Sequence, residues 1–143
     1  GIPAVVPNDV FRVVARIETE VEALHGALPS RAFNASSVAA SSGKSPADAY
    51  RAGYMLLEQI AAFTKGDGKG VPGGVTLPDP EVGSITPASV LELANTVLAE
   101  LGAMKSAYGY GALLPAPPPP AGMTPSRVFD GFTRAQGYLQ AIR

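Results

Sequence analysis

The sequence predicts an all-α fold: a four-helix bundle built from four helix-plus-long-loop repeats, with a proline at the start of each helix. Two observations predict it, a proline-led motif that recurs along the chain and an apolar stripe of helical spacing behind each proline. Composition agrees, because 143 residues with 46% apolar and 16% charged side chains suit one packed domain and are too apolar for a disordered chain. We expect a single domain over residues 1–143, with repeat units at about 6–44, 45–85, 86–123 and 124–143.

The repeat is clearest when four prolines, about 40 residues apart, are placed in register. Apolar residues then occupy the third, tenth, fourteenth and seventeenth positions after every proline, and alanine occupies the sixteenth. Intervals of seven, four and three residues put the apolar positions on one face of a helix. The four prolines are Pro7, Pro46, Pro87 and Pro125.

The residues around each proline predict where the helices begin. Proline suits the first helical position, because its missing N–H would have no partner there and its fixed φ already matches a helix. Asp9 and Asp48 fall at the third helical position, where a carboxylate favours the positive end of the helix dipole. We expect helices of about 18–20 residues, roughly 30 Å long. A hydroxyl side chain that can cap the helix precedes three of the prolines: Ser45, Thr86 and Thr124.

The four helices differ in how far their apolar surface extends. In the first helix charged residues lie off the stripe, whereas the second, RAGYMLLEQIAAF, is apolar around much of its circumference. The third and fourth are poor in charge. A helix of this kind is buried on more than one side, here by the long loops, or it meets a partner. If a partner covers this apolar surface, we predict that it binds helices 2 and 4. The predicted interaction residues are Tyr54, Met55, Leu57, Phe132 and Tyr138.

Long connectors join the helices, over residues 28–44, 66–85 and 109–123. About 17–20 residues can span roughly 55–65 Å, so the sequence allows either an up-down bundle with bulky end loops or helices joined by overhand crossovers. In the third connector PAPPPP predicts a polyproline II segment, either a rigid spacer or a ligand for an aromatic groove, on which Tyr108 and Tyr110 could stack. Apolar residues predict that the connectors are ordered and pack on the bundle: Phe33, Val71, Val75, Leu77, Leu113 and Leu114.

Three short patterns are similar to known sites, and each has a simpler structural explanation. Glu22 and His25 have the E-x-x-H spacing of di-iron bundles, but such a site needs a second pair and His25 is the only histidine. The GKS at residues 43–45 matches the end of a phosphate-binding loop without its first glycine. KGDGKG around Asp67 lacks the alternating ligands of a calcium loop. Since one histidine and scattered carboxylates form no catalytic arrangement, we expect no enzyme activity, no metal and no cofactor.

Charge and hydropathy restrict the partners. A net charge of −1 without a Lys/Arg cluster argues against nucleic acid and anionic membranes, and no apolar run approaches the ~18 residues that span a bilayer. The absence of cysteine excludes disulfides and thiolate sites. The opening GIPAVVPND, without Met or a signal segment, is typical of a processed mature end or a trimmed chain. The Ala/Pro/Gly-rich composition of the chain favours a periplasmic or secreted location.

These observations favour a non-enzymatic structural or protein-interaction module, and we expect it to self-associate, with another protein as the other possible partner. The alternative is an extracytoplasmic bundle that binds a small ligand or acts as a sensor. Gly53, Gly131 and Gly137 motivate the alternative, because glycine inside a helix costs about 1 kcal/mol relative to alanine and often marks close packing or room for a ligand. An unfilled apolar pocket beside Gly131 and Tyr138 would favour ligand binding, and a solid core would argue against it.

Overall fold

The computed structural model describes residues 4–66, 74–111 and 113–143. Over these ranges it contains four α-helices and a short 3-10 turn, and no strand, so the prediction of an all-α four-helix bundle is confirmed. Each helix begins at the proline that the sequence indicates. The helices are α1 (Pro7–Ala27), α2 (Pro46–Gly66), α3 (Pro87–Ala107) and α4 (Pro125–Ala141), and the turn is Ala35–Ser37.

The predicted N-caps form at the three helices that have a serine or threonine before the proline. The Ser45 hydroxyl accepts a hydrogen bond from the Asp48 backbone N–H at 3.2 Å, and the Thr86 and Thr124 hydroxyls accept equivalent bonds at 3.4 and 3.3 Å. Before α1, where Val6 has no capping oxygen, the Asp9 carboxylate instead accepts from the Val6 backbone N–H at 2.9 Å. Local sequence therefore determines where every helix starts.

All four helices start at the same end of the bundle. The C-terminal ends of α1 and α4 also meet, since the Arg31 N–H donates to the Ala141 carbonyl and the Arg143 N–H donates to the Pro29 carbonyl, both at 2.7 Å. The bundle is therefore parallel, and its connectors are overhand crossovers. At the opposite end, equivalent positions of the four units line one small pocket: Pro7, Val10, Pro46, Ala49, Pro87, Val90, Pro125 and Val128.

The order of the helices around the bundle explains the paths of the connectors. Among the described residues, α1 and α2 each pack against α3 and α4 but not against each other, so helices that follow directly in sequence can lie diagonally opposite. The first connector, residues 28–45, crosses the outside of α4, where the Ser41 N–H donates to the Asp130 carboxylate at 3.1 Å. The third, residues 108–124, crosses the outside of α1, where the Leu114 N–H donates to Glu20 Oε1 at 2.6 Å. The second joins the neighbours α2 and α3.

The core contains the predicted apolar stripe. Of the sixteen stripe positions, fifteen are buried, and Phe63 is half-buried beside Tyr108 at the end of the bundle. The residues four positions after each proline lie just off the stripe and are all half-buried. Side chains at the centre of the core are fully excluded from solvent, among them Ile17, Leu56, Val97, Leu101 and Phe132.

The third connector spans the length of α1 as a stiff rod. Pro117, Pro120 and Met123 are half-buried while the prolines between them are exposed, so burial recurs every third residue, which is the periodicity of polyproline II. Gly122, with φ 68°, ends this segment, and at about 3.1 Å per residue residues 113–121 cover roughly 28 Å, close to the roughly 30 Å length of a 21-residue helix. The Met123 N–H donates to Asn8 Oδ1 at 2.8 Å and holds the far end of the rod. The spacer role is sufficient to explain the proline run.

A buried ion pair lies beneath the start of this rod, and sequence analysis missed it. Lys105 Nζ on α3 is 2.7 Å from Glu20 Oε2 on α1, and the two side chains are 5% and 1% exposed. This Oε2 contact is an ion pair without hydrogen-bond geometry, whereas Oε1 accepts the Leu114 N–H. Glu20 thus joins α1, α3 and the third connector at one point. Sequence position alone gives no sign of it, because both residues fall off the apolar stripe.

Candidate interaction surface

Two of the five predicted interaction residues lie inside the core. Leu57 and Phe132 are both 0% exposed, so a partner cannot reach them, and their assignment to an interaction surface was wrong. Phe132 is accommodated because Gly53 on α2 has no side chain: a Cβ there would lie 2.8 Å from the Phe132 ring. The apolar surplus of α2 and α4 is therefore used in part for packing these two helices together.

The predicted surface on α4 is covered by the first connector. The ring of Phe33 lies edge-on to Tyr138, with 4.9 Å between centroids, and fills the space beside Gly137. His25 packs on the other side of Tyr138 at 5.4 Å. Desolvation, followed by the nearby Glu22 carboxylate, raises the pKa of the Tyr138 hydroxyl, which stays protonated. For α4, cover by a connector accounts for the apolar surface.

The space beside the other α4 glycine is filled as well. A Cβ on Gly131 would lie 2.5 Å from Val14 Cγ1 and 2.9 Å from Glu18 Oε1. The predicted ligand pocket beside Gly131 and Tyr138 is thus occupied by side chains of the protein itself. These glycines allow close packing and leave no room for a ligand at this position.

Tyr54 and Met55 have different surroundings although they are adjacent in sequence. Tyr54 stacks on Tyr50, with 6.4 Å between ring centroids, along the side of α2 that faces the second connector. Met55 lies about 100° further around the helix, 46% exposed, between the exposed Arg51 and Glu58. Met55 is therefore a single apolar side chain on a charged face, whereas Tyr54 belongs to a larger arrangement.

The two tyrosines hold the second connector against the bundle. The Tyr54 hydroxyl donates to the Pro78 carbonyl at 2.6 Å, and the Tyr50 hydroxyl accepts from the Glu81 N–H at 3.0 Å. We call residues 77–82, LPDPEV, the strap. Desolvation, then Glu58, Tyr50 and Asp79, raises the pKa of Tyr54 and keeps its hydroxyl a donor. Two hydrogen bonds and two prolines thus fix the strap in one conformation.

The strap presents large apolar side chains to solvent. Val82 is 88% exposed and Leu77 is 41% exposed. Leu77 and Leu114 were predicted to pack on the bundle and are exposed instead. Val75 and Leu113 pack against the core, and Phe33 packs on α4 at Tyr138 and Gly137; Val71 lies outside the described residues. Sequence analysis missed Val82, which lies between Glu81 and Gly83 in a connector and belongs to no helical pattern.

Grooves lie on both sides of the strap. The groove on the α2 side, of about 410 Å³, includes Arg51, whose guanidinium is 3.6 Å from the Asp48 carboxylate. The groove on the α3 side, of about 270 Å³, contains three carboxylates and no basic side chain. The α3-side groove is lined by Tyr50, Pro78, Asp79, Glu81, Ser89, Glu92, Leu93 and Thr96.

The patterns similar to metal and nucleotide sites have structural roles where the structure describes them. His25 Nε2 lies 2.6 Å from the Arg31 carbonyl oxygen and ties the first connector to α1. Lys44 lies over the Phe129 ring at 4.4 Å, and Asp67 lies outside the described residues. Across residues 4–66, 74–111 and 113–143 no three His, Cys, Asp or Glu side chains are placed to hold a metal ion, and no helix is long and apolar enough to cross a membrane.

Comparisons with protein-family models, with curated proteins and with solved structures found no match for this chain. Its function is therefore inferred from its own residues.

Proposed function

We propose that this chain is a non-enzymatic protein-interaction module, and that its binding surface is the strap with the two grooves beside it. The observation that carries the proposal is the exposure of Leu77 and Val82 on a segment that two tyrosine hydroxyls hold in place. Exposed apolar side chains on a flexible loop would have little meaning. On an ordered segment they form a surface whose shape a partner can match.

The energetics support binding at this position. Burying apolar surface stabilises a complex by about 25 cal/mol per Å², and a segment that is already ordered loses little conformational entropy when it binds. Elsewhere the connectors cover the bundle: the first connector lies over α4 and the third lies over α1. The strap therefore combines exposed apolar groups with a rigid backbone.

Charge favours a different protein over a second copy of this chain. A symmetric dimer through the strap would bring Asp79 and Glu81 of both copies together, and like charges at an interface oppose association. Self-association, which the sequence predicts, would therefore have to use another surface. The periplasmic or secreted location stays a prediction.

Site-specific photo-crosslinking in the source cells tests the proposal. A photoreactive residue replaces Val82 in one variant and Leu114, which is 39% exposed on the third connector, in the control. We expect a discrete adduct of this chain with one other protein from position 82 and none from position 114. The same adducts from both positions, or no adduct from position 82, would refute the strap as the binding surface, and an adduct of two copies would show self-association instead.

A further inference from the structure

The α3-side groove has the charge and shape of a receptor for a basic side chain. Asp79 and Glu81 on the strap and Glu92 on α3 line it, with the hydroxyls of Ser89 and Thr96 at its walls. Among the described residues none of these three carboxylates takes part in an ion pair. Arg51, which lines the α2-side groove, is paired with Asp48 and does not neutralise the carboxylates of the α3-side groove.

We propose that the partner is a protein that presents an extended segment with a lysine or arginine flanked by apolar residues. The basic side chain enters the α3-side groove, and its apolar neighbours contact Leu77 and Val82. This inference rests on the proposed function, because it names the chemistry of the partner that binds the strap.

Three properties of the surface favour this occupant. A groove of about 270 Å³ is large enough for an arginine or lysine side chain, and its three carboxylates are not placed to share one metal ion. The Thr96 hydroxyl donates to the Glu92 carbonyl at 3.2 Å and can still accept an N–H of a guanidinium, whereas the Ser89 hydroxyl is already bonded to Thr86 at the start of α3. Leu77 and Val82 are exposed and are the sequence neighbours of the groove residues Pro78 and Glu81, so they offer an apolar contact that a free small cation would not use.

Charge also disfavours other macromolecules. A nucleic acid or an anionic membrane would meet the carboxylates with repulsion. An acidic peptide would be repelled in the same way. The complement of an acidic groove with an apolar rim is a basic segment with apolar flanks, and electrostatic attraction would accelerate its encounter with the groove.

Selection of random peptides displayed on phage against the full chain, followed by binding measurements on the best synthetic peptide, tests the inference. We expect the selected peptides to share a lysine or arginine with apolar neighbours. The variant Asp79→Asn/Glu81→Gln/Glu92→Gln keeps the shape of the groove and removes its charge, and it should weaken binding about tenfold or more. The control Glu22→Gln, on α1, should change the affinity less than about twofold.

A second variant separates failure of this inference from failure of the proposed function. If Leu77→Asp/Val82→Asp abolishes peptide binding but the charge-neutral triple variant does not weaken it, the strap is a binding surface and the basic partner is wrong. Selected peptides without a basic residue would have the same meaning. If no peptide is enriched, or if neither variant affects binding, both proposals are overturned. Circular dichroism melting curves of every variant show whether the bundle is intact.

Discussion

Replacing Lys105 with methionine tests whether the buried ion pair determines the position of α1, α3 and the third connector. Methionine is unbranched and nearly as long as lysine, so the substitution removes the charge without creating a large cavity. It leaves the Glu20 carboxylate, 1% exposed, without its cationic neighbour and with the Leu114 N–H on its other oxygen.

The size of the effect follows from burial. Removing one partner of a buried ion pair typically costs about 3–5 kcal/mol, because the remaining charge is desolvated without compensation. For a chain of this size each kcal/mol lowers the melting temperature by roughly 2–4 °C, so Lys105→Met should lower it by roughly 6–20 °C. Glu20→Leu/Lys105→Met removes both charges, so no buried charge is left without its counter-ion, and the Leu114 N–H loses its acceptor at about 1 kcal/mol. The double variant should therefore be closer to wild type than the single variant.

Urea unfolding followed by far-ultraviolet circular dichroism measures both free energies of unfolding. The matched control is Lys65→Met, because Lys65 is exposed in the last turn of α2, and this change should stay within about 0.5 kcal/mol of wild type. A loss below about 1 kcal/mol in Lys105→Met, or a double variant less stable than the single one, would refute the reasoning.

Three further predictions follow from other contacts. Gly131→Ala should destabilise the bundle by about 1–3 kcal/mol in urea unfolding, because the added methyl overlaps a core valine of α1, whereas Gly26→Ala, with open space around it, should be neutral or stabilising. Hydrogen bonds from the serine before α2 lower the pKa of Asp48, so this group contributes stability that is present above its unfolded pKa and is lost as the pH falls through its lowered folded pKa. An NMR titration of the carboxyl should show the lowered pKa, and Asp48→Asn should flatten the acid limb of a stability–pH curve; an unshifted titration would contradict the assignment. Tyr54→Phe removes the hydrogen bond to the strap and should increase proteolytic cleavage there, while Tyr110→Phe should not; equal cleavage in both variants would show that the hydroxyl does not hold the strap.

The helices and their starts could be predicted because their causes are local. A proline, the hydroxyl before it and an apolar residue at helical spacing lie within one short stretch, and each acts on the backbone beside it. Helix direction could not be predicted in this way. Connectors of this length permit either topology, and the parallel arrangement depends on contacts between distant residues, such as Ser41 with Asp130 and Leu114 with Glu20.

At the candidate site, too, the features that sequence could not predict depend on residues distant in the chain. Leu57 and Phe132 were assigned to an interaction surface because their helices carry many apolar residues. The number of apolar residues on a helix shows how much of its surface must be buried, but not which other element buries it. The burial of Phe132 depends on Gly53, which lies on a different helix. The strap depends on hydroxyls of two α2 tyrosines that meet backbone groups far along the chain. Only the three-dimensional arrangement shows what their hydroxyls bind.

The diagonal placement of α1 and α2 has a consequence for synthesis of the chain on the ribosome. Neither helix packs against the other, and the first helix partner of both begins at Pro87. Isolated helices of this length are marginal in water, so a nascent chain that ends before Pro87 has no helix pair with which to bury its apolar stripes. At about 5–20 residues per second, this interval lasts for seconds in which the first two helices are accessible to proteases and chaperones. Because the first two helices pack on the third and not on each other, they can bury their apolar stripes only after the third helix has been translated.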